Sequence, residues 1–194
     1  MKNKIIFIQQ YIKHPRKIGS LFPSSKFLSD EITNSINGEG SSLIEIGAGT
    51  GVFTKKIKSK FNNHKFYVFE KNKSFHESLL NINDIHLYED ALHLNEIVND
   101  NTIISDIISG LPIRSMDKKT SNKILVKAFD LLKENGNFIQ FTYGLKSPIN
   151  KELLDENNMV LSRKKVIYRN IPPATIYIYK KINSCKDIDR KSVV

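Results

Sequence analysis

The chain has 194 residues, 40% of them hydrophobic, a net charge of +10 and a single cysteine, Cys185. That length supports one domain with a substantial core. The lone cysteine excludes an internal disulfide and fits a reducing compartment, and no apolar run is long enough to cross a bilayer. Ile5 to Ile8 is too short a run for a secretory leader, so a cytoplasmic protein is expected. The charge is uneven: residues 1–26 hold six Lys or Arg and no acid, residues 162–194 carry a net +7, and residues 27–161 a net −3. The basic tail fits a solubilising segment, but the basic front, whose charges alternate with apolar residues, implies an anionic partner, lipid head groups or nucleic acid.

In chain order, the first predicted element is a helix from about Lys4 to Lys13, stopped by Pro15. Ile5, Ile8 and Ile12 share a face that Phe7 and Tyr11 widen and Lys2, Lys4 and Lys13 flank. That face fits either the domain's own core or a membrane interface with lysines on anionic phosphates. After a turn-rich loop, Ser24 or Ser25 caps a helix reaching about Ile36, and Asn37-Gly38-Glu39-Gly40 breaks the chain. Strands are then predicted at Ser42–Ile46, Lys65–Phe69, Ile85–Tyr88, Ile103–Ser109 and Asn137–Thr142. Helices fall near 52–60, 73–81, 117–134 and 150–157, with Asn135-Gly136 as the stop of the long one. Val160–Tyr168 and Thr175–Lys181 read as an antiparallel pair, and 184–194 as a disordered basic tail. The alternation predicts a doubly wound α/β sheet with ligands at the carboxyl ends of its strands.

The most telling stretch is Leu43-Ile44-Glu45-Ile46-Gly47-Ala48-Gly49-Thr50-Gly51. Alternating glycines let the backbone turn sharply after a strand and approach a ligand closely. A dinucleotide loop spaces its glycines differently, and a leading carboxylate suits a cation better than a pyrophosphate. Glu70 ends the next strand nineteen residues after Gly51, and Asp90 ends the third twenty residues later. This arrangement resembles motif I and the following strand-end acids of the class I methyltransferases. The resemblance implies their Rossmann-like sheet of seven strands with the last antiparallel, here with N-terminal helices. It also implies S-adenosyl-L-methionine as cofactor. Glu45, Gly47, Gly49, Gly51 and Ser109 would then line its site, Glu70 would hold the ribose, and Asp90 with Ala91 the adenine.

The fourth strand ends in Ser109-Gly110-Leu111-Pro112-Ile113. Amine methylases of that class often carry a proline turn here, whose backbone carbonyl receives the target nitrogen. The asparagine and stacking aromatic of the nucleobase enzymes are absent, which removes ~1–3 kcal/mol of stacking for a flat base but costs an aliphatic amine nothing. From about Tyr11 to Tyr179 the chain resembles bacterial phospholipid N-methyltransferases of the soluble, PmtA-like type. The likeness is carried by Pro15…Gly19…Pro23-Ser24-Ser25, the glycine loop through Thr54, Ser109-Gly110-Leu111-Pro112, Gln140-Phe141-Thr142-Tyr143-Gly144 and Asn170-Ile171-Pro172-Pro173-Ala174. It implies stepwise methylation of phosphatidylethanolamine toward phosphatidylcholine, peripheral on the inner face of the cytoplasmic membrane. It also implies lipid-binding front helices. The expected division is 1–37 as a basic amphipathic lid, 38–183 as the methyltransferase domain and 184–194 as the tail.

Direct displacement by an amine needs no metal, but it needs the two reactants held in line and an acceptor for the ammonium proton. Tyr143 is the favoured candidate, as a positioner rather than a strong base given a phenol pKa near ~10. The Gly110 or Leu111 carbonyl, passing the proton to water, and His14 are the others. Tyr11, Phe22, Tyr143 and Tyr168 could face a methylated ammonium. Lys13, Arg16, Lys17, Lys26 and Arg114 are candidate phosphate partners, and Ser24 a further substrate contact. The histidines at 64, 76, 86 and 93 show no metal spacing. Two alternatives remain, an rRNA adenine dimethylase and a methyltransferase-fold module that only binds membranes or proteins. Gly110 in place of asparagine and Ile113 in place of tyrosine argue against nucleic acid, and no obligate protein partner is implied.

Overall fold

The computed structural model describes residues 25–98, 102–170 and 172–183. A helix, α1 (Ser25–Asn34), leads into β1 (Ser42–Ile46), α2 (Val52–Lys60) and β2 (Lys65–Phe69). A 3-10 turn opens α3 (His76–Leu80), and β3 (His86–Tyr88) follows. A second 3-10 turn leads to α4 (Leu94–Ile97), β4 (Ile104–Ser109), α5 (Lys118–Leu131), β5 (Leu132–Thr142), α6 (Lys151–Glu156), β6 (Met159–Ile167) and β7 (Ala174–Lys181). The seven strands form one sheet in the order β3-β2-β1-β4-β5-β7-β6, with β7 antiparallel to both its neighbours. This is the doubly wound α/β architecture that the alternation predicts.

At the centre of the sheet both faces are covered, so every residue of β1, β2 and β4 except Lys65 is buried. Ile44, Ile46, Tyr67 and Phe138 pack under α5 and α6, while Leu43, Phe66, Val68 and Ile139 pack under α1 and α2. Leu28, Ile32 and Ile36 are buried in that second layer, so α1 is docked on the sheet. Asp106 is wholly buried in β4 and is satisfied by three donors: Asn37 N–H (3.0 Å), Gly38 N–H (2.9 Å) and the Asn137 amide (3.0 Å). It fixes the linker before β1, and with it the start of the central strand.

Two features depart most from the expected elements. α5 stops at Leu131, because the Lys181 ammonium reaches over from β7 to the carbonyls of Phe129 (2.8 Å), Asp130 (3.2 Å) and Leu132 (2.9 Å). A lysine on the last carbonyls of a helix satisfies groups that would otherwise seek a further turn. Burial of this lysine holds its pKa below the ordinary value. Asn135-Gly136 is therefore not the helix stop but part of a bulge in β5. Asn135 takes a left-handed φ of 62°, and the pairing with β4 jumps from Ile104–Leu132 to Asp106–Asn137. The other difference is α4, a helix of four residues absent from the expected elements.

Candidate functional site

The parallel strands β1, β2, β3 and β4 end at one edge, which brings Glu45, Glu70, Asp90 and Ser109 together from separate parts of the chain. Between them lies the glycine loop, where Gly47, Gly49 and Gly51 all take positive φ (77°, 56° and 79°). The three glycines serve different ends. A Cβ on Gly51 would press on Leu79 and Ile82 of the α3 segment, and one on Gly47 would press on Gly110 and Leu111. A Cβ on Gly49 would meet nothing within 4 Å. Gly49 thus borders open space, where a ligand can lie directly on the backbone.

Around that space the acids are held differently. Glu45 points into the α1–α2 layer, fully buried, and neither carboxylate oxygen has a hydrogen-bond partner among the described residues. Burial pushes its carboxyl up to about 7, the nearby Thr54 hydroxyl opposing the rise and the Glu70 charge adding to it. A buried carboxylate without a donor is what an approaching cation would satisfy. Glu70 is already engaged: Gly49 N–H donates to one oxygen and Asn72 N–H to the other, each at 2.7 Å. The His76 imidazole bonds the Glu70 carbonyl at 2.6 Å, fixing the residue from behind. Asp90 caps the turn that begins at the buried Ala91, accepting from Leu92 N–H at 2.9 Å. Its second oxygen lies 3.7 Å from Lys71.

The acceptor side adjoins this loop backbone to backbone. A Cβ on Gly110 would sit 2.4 Å from the Gly47 carbonyl oxygen, so no other residue fits there without moving one of the turns. Glycine at this position is therefore imposed by the neighbouring loop. Leu111 N–H reaches the Ser109 hydroxyl at 3.3 Å. The Leu111 carbonyl accepts from Ile113 N–H (2.9 Å) and from the Gln140 amide (3.1 Å). Two donors fill its two lone pairs, which removes Leu111 as a resting place for a substrate amine and leaves the carbonyl of Gly110. Tyr143 lies just past the end of β5, packed edge-on against Phe141 (6.1 Å), which is itself edge-on to Phe53 of α2 (5.4 Å).

Arg114 and Tyr168 stand at the same edge but apart from each other. Arg114 is exposed on the turn after Pro112 and donates to the Lys146 carbonyl at 3.3 Å. Tyr168 follows β6, two strands away from β5, and is 78% exposed, so it belongs to the outer rim rather than to the centre. Tyr11, Lys13, Arg16 and Ser24, with His14, Phe22 and Lys17, lie outside the described residues. Gln140 escaped the sequence reading as a site residue. It is buried, opposite Tyr177 on β7, and bonds the Leu111 and Phe141 carbonyls, leaving its own oxygen and the Tyr177 hydroxyl without partners among the described residues. A polar residue at an inward strand position was the one signal that could have marked it. Among the described residues no cluster of His, Cys, Asp or Glu could hold a metal, and no helix is long and apolar enough to cross a membrane.

No protein-family model matches the chain. An ornithine lipid N-methyltransferase from Singulisphaera acidiphila is 28% identical over 193 residues, which cover 94% of this chain and 98% of that protein. Among solved structures, the 1,6-didemethyltoxoflavin-N1-methyltransferase of Burkholderia thailandensis, with bound S-adenosylhomocysteine, superposes with a TM-score of 0.67 at 11% identity. That match covers 91% of this chain and 86% of the other. An O-methyltransferase family protein from Burkholderia thailandensis gives a TM-score of 0.63 at 9% identity over 82% of this chain, which spans 57% of that protein's length. These structural likenesses show the fold, the seven-stranded Rossmann-like sheet of the class I methyltransferases.

Proposed function

We propose that this chain transfers methyl groups from S-adenosyl-L-methionine to the primary amine of a membrane lipid head group. The observation that carries this reading is the contact between Gly47 and Gly110. It sets the open cradle at Gly49 directly against the proline turn, so that a donor on one backbone faces an acceptor on the other. The cradle fits the proposed cofactor in kind: open space over Gly49, a buried carboxylate at Glu45 with no donor among the described residues, and Glu70 and Asp90 at the next two strand ends. When bound, that cofactor supplies a methyl group made electrophilic by a sulfonium, a charge that three nearby carboxylates favour.

The residues of the chain contribute binding and orientation. The Gly110 carbonyl can accept a hydrogen bond from the amine and turn its lone pair toward the cradle. Gln140, by holding the Leu111 carbonyl, keeps the turn in that attitude. An alkylammonium must lose a proton before each transfer. The phenol of Tyr143 can orient the amine, while water at the exposed rim takes the proton.

Phosphatidylethanolamine is the acceptor that the motif resemblance favours, which would place the protein at the inner face of the cytoplasmic membrane. Ornithine lipid is the second reading, favoured by the named activity of the Singulisphaera relative. Adenine in RNA has neither the asparagine nor the stacking aromatic in the turn, and none of the comparisons adds support for it. The test is methyl transfer from labelled cofactor to mixed micelles of phosphatidylethanolamine, ornithine lipid or neither, with RNA as a further acceptor. Label in one aminolipid names the substrate. Label in RNA alone, or in nothing, overturns the proposal.

A further inference from the structure

The loops at the carboxyl edge divide by charge. Over β1 to β3, residues 70–75 and 89–93 hold Glu70, Glu89 and Asp90, and both lysines there face acids, Lys73–Glu89 at 3.1 Å and Lys71–Asp90 at 3.7 Å. Over β4 to β7, residues 110–119, 143–150 and 168–169 hold Arg114, Lys118, Lys119, Lys146 and Arg169 against Asp117 alone, while the next lysine, Lys151, is paired with Asp155 at 2.5 Å. The Asp117 carboxylate is spent on capping α5, accepting from Thr120 N–H at 2.8 Å.

Within this basic half, apolar side chains are held outward. The Lys164 ammonium binds the Leu145 carbonyl at 2.7 Å and Arg114 binds the Lys146 carbonyl at 3.3 Å, so the loop is tied down by its backbone while the Leu145 side chain stays 67% exposed. Tyr168, 78% exposed, stands at the same edge between β6 and β7. Beside it the Arg169 guanidinium lies 5.2 Å over the ring of Phe27, itself an exposed aromatic. Three projecting apolar groups, each with a cation next to it, match the needs of a bilayer interface: apolar groups enter the acyl boundary while basic ones stay at the phosphates.

We infer that the rim formed by Leu145, Tyr168 and Phe27, with Arg114, Lys146, Lys164 and Arg169 around it, is the surface by which this protein rests on an anionic lipid bilayer. This rests on the proposed lipid substrate and names where the lipid surface lies. It is continuous with the Gly110–Tyr143 region, so a head group can reach the turn without its chains leaving the bilayer.

The test uses the full chain in a Cys185→Ser background, with an environment-sensitive NBD label on Leu145→Cys, Tyr168→Cys or Ile103→Cys. Ile103, 55% exposed, precedes β4 at the opposite edge and serves as the comparison. With vesicles of phosphatidylglycerol and phosphatidylethanolamine, labels at 145 and 168 should shift to the blue and be quenched by doxyl lipids, and the label at 103 should do neither. Lys146→Ala should weaken partition onto these vesicles about fivefold. Labels at 145 and 168 that stay in water on vesicle-bound protein, a matching shift at 103, or a shift with RNA but not with vesicles would overturn the assignment. Methylation of detergent-solubilised aminolipid is read separately. If it persists while the labels stay in water, the surface is wrong and the activity stands.

Discussion

On the β1–β3 half of the carboxyl edge, charged groups are tied to backbone amides and to one another: Glu70 to Gly49 and Asn72, Asp90 to Leu92, Lys73 to Glu89. On the β4–β7 half, Arg114 and Lys164 are tied to carbonyls. The first half thus matches acids with lysines and amides, while in the second the cations outnumber the acids. Under the proposed function, this difference would let a cationic donor be retained on one half and an anionic surface be met on the other.

The largest test of that division strikes the seam. Gly110→Ala forces a methyl group against the Gly47 carbonyl, so it should cut methyl transfer at least a hundredfold and lower stability by about 2–3 kcal/mol in urea unfolding. A variant that keeps both would show that the contact does not couple the halves.

Glu45→Gln addresses the cofactor half alone. The Glu45 carboxyl sits at about 7 in the fold against an ordinary 4.5, so the folded protein holds this proton more tightly than the unfolded chain does. The stabilisation from that proton is complete below about pH 4.5 and is lost as pH rises through about 7. Glutamine removes the dependence. The variant should exceed the wild type at pH 8 by up to about 3 kcal/mol, and calorimetry should show cofactor binding at least tenfold weaker. Parallel pH profiles from thermal melts would refute the burial argument.

Gln140→Leu addresses the acceptor half alone. Loss of one donor to the Leu111 carbonyl should lower kcat about tenfold and move the cofactor Kd less than twofold. An equal loss in both would mean that the turn serves the cofactor as well. The smallest effect is expected for Arg114→Ala: less than about 0.5 kcal/mol in stability, since the group is exposed, with about fivefold weaker association to anionic vesicles in a sedimentation assay.

What the sequence disclosed follows from the geometry of parallel strands. Each strand ends at the same edge, so Glu45, Glu70 and Asp90 could be grouped from spacing alone. The use of each acid was not legible, because the amides that occupy Glu70 come from the glycine loop and from its own turn. The reason for Gly110 was equally hidden. Read along the chain it looks like a missing asparagine; in space it is the room required by a carbonyl sixty-three residues earlier. Gln140 and Asp106 share that character, since both are strand polars whose partners arrive from distant segments. The early end of α5 was unreadable for the same reason, its last carbonyls being satisfied by Lys181 fifty residues on.

The reversed direction of β7 has a practical corollary. Because this strand runs against the others, Asn183 emerges at the amino edge, a strand length of roughly 26 Å from the rim where β7 begins. A biotin or fluorescent tag joined there would let the molecule be immobilised or watched from behind while its opposite end stays open to micelles and vesicles.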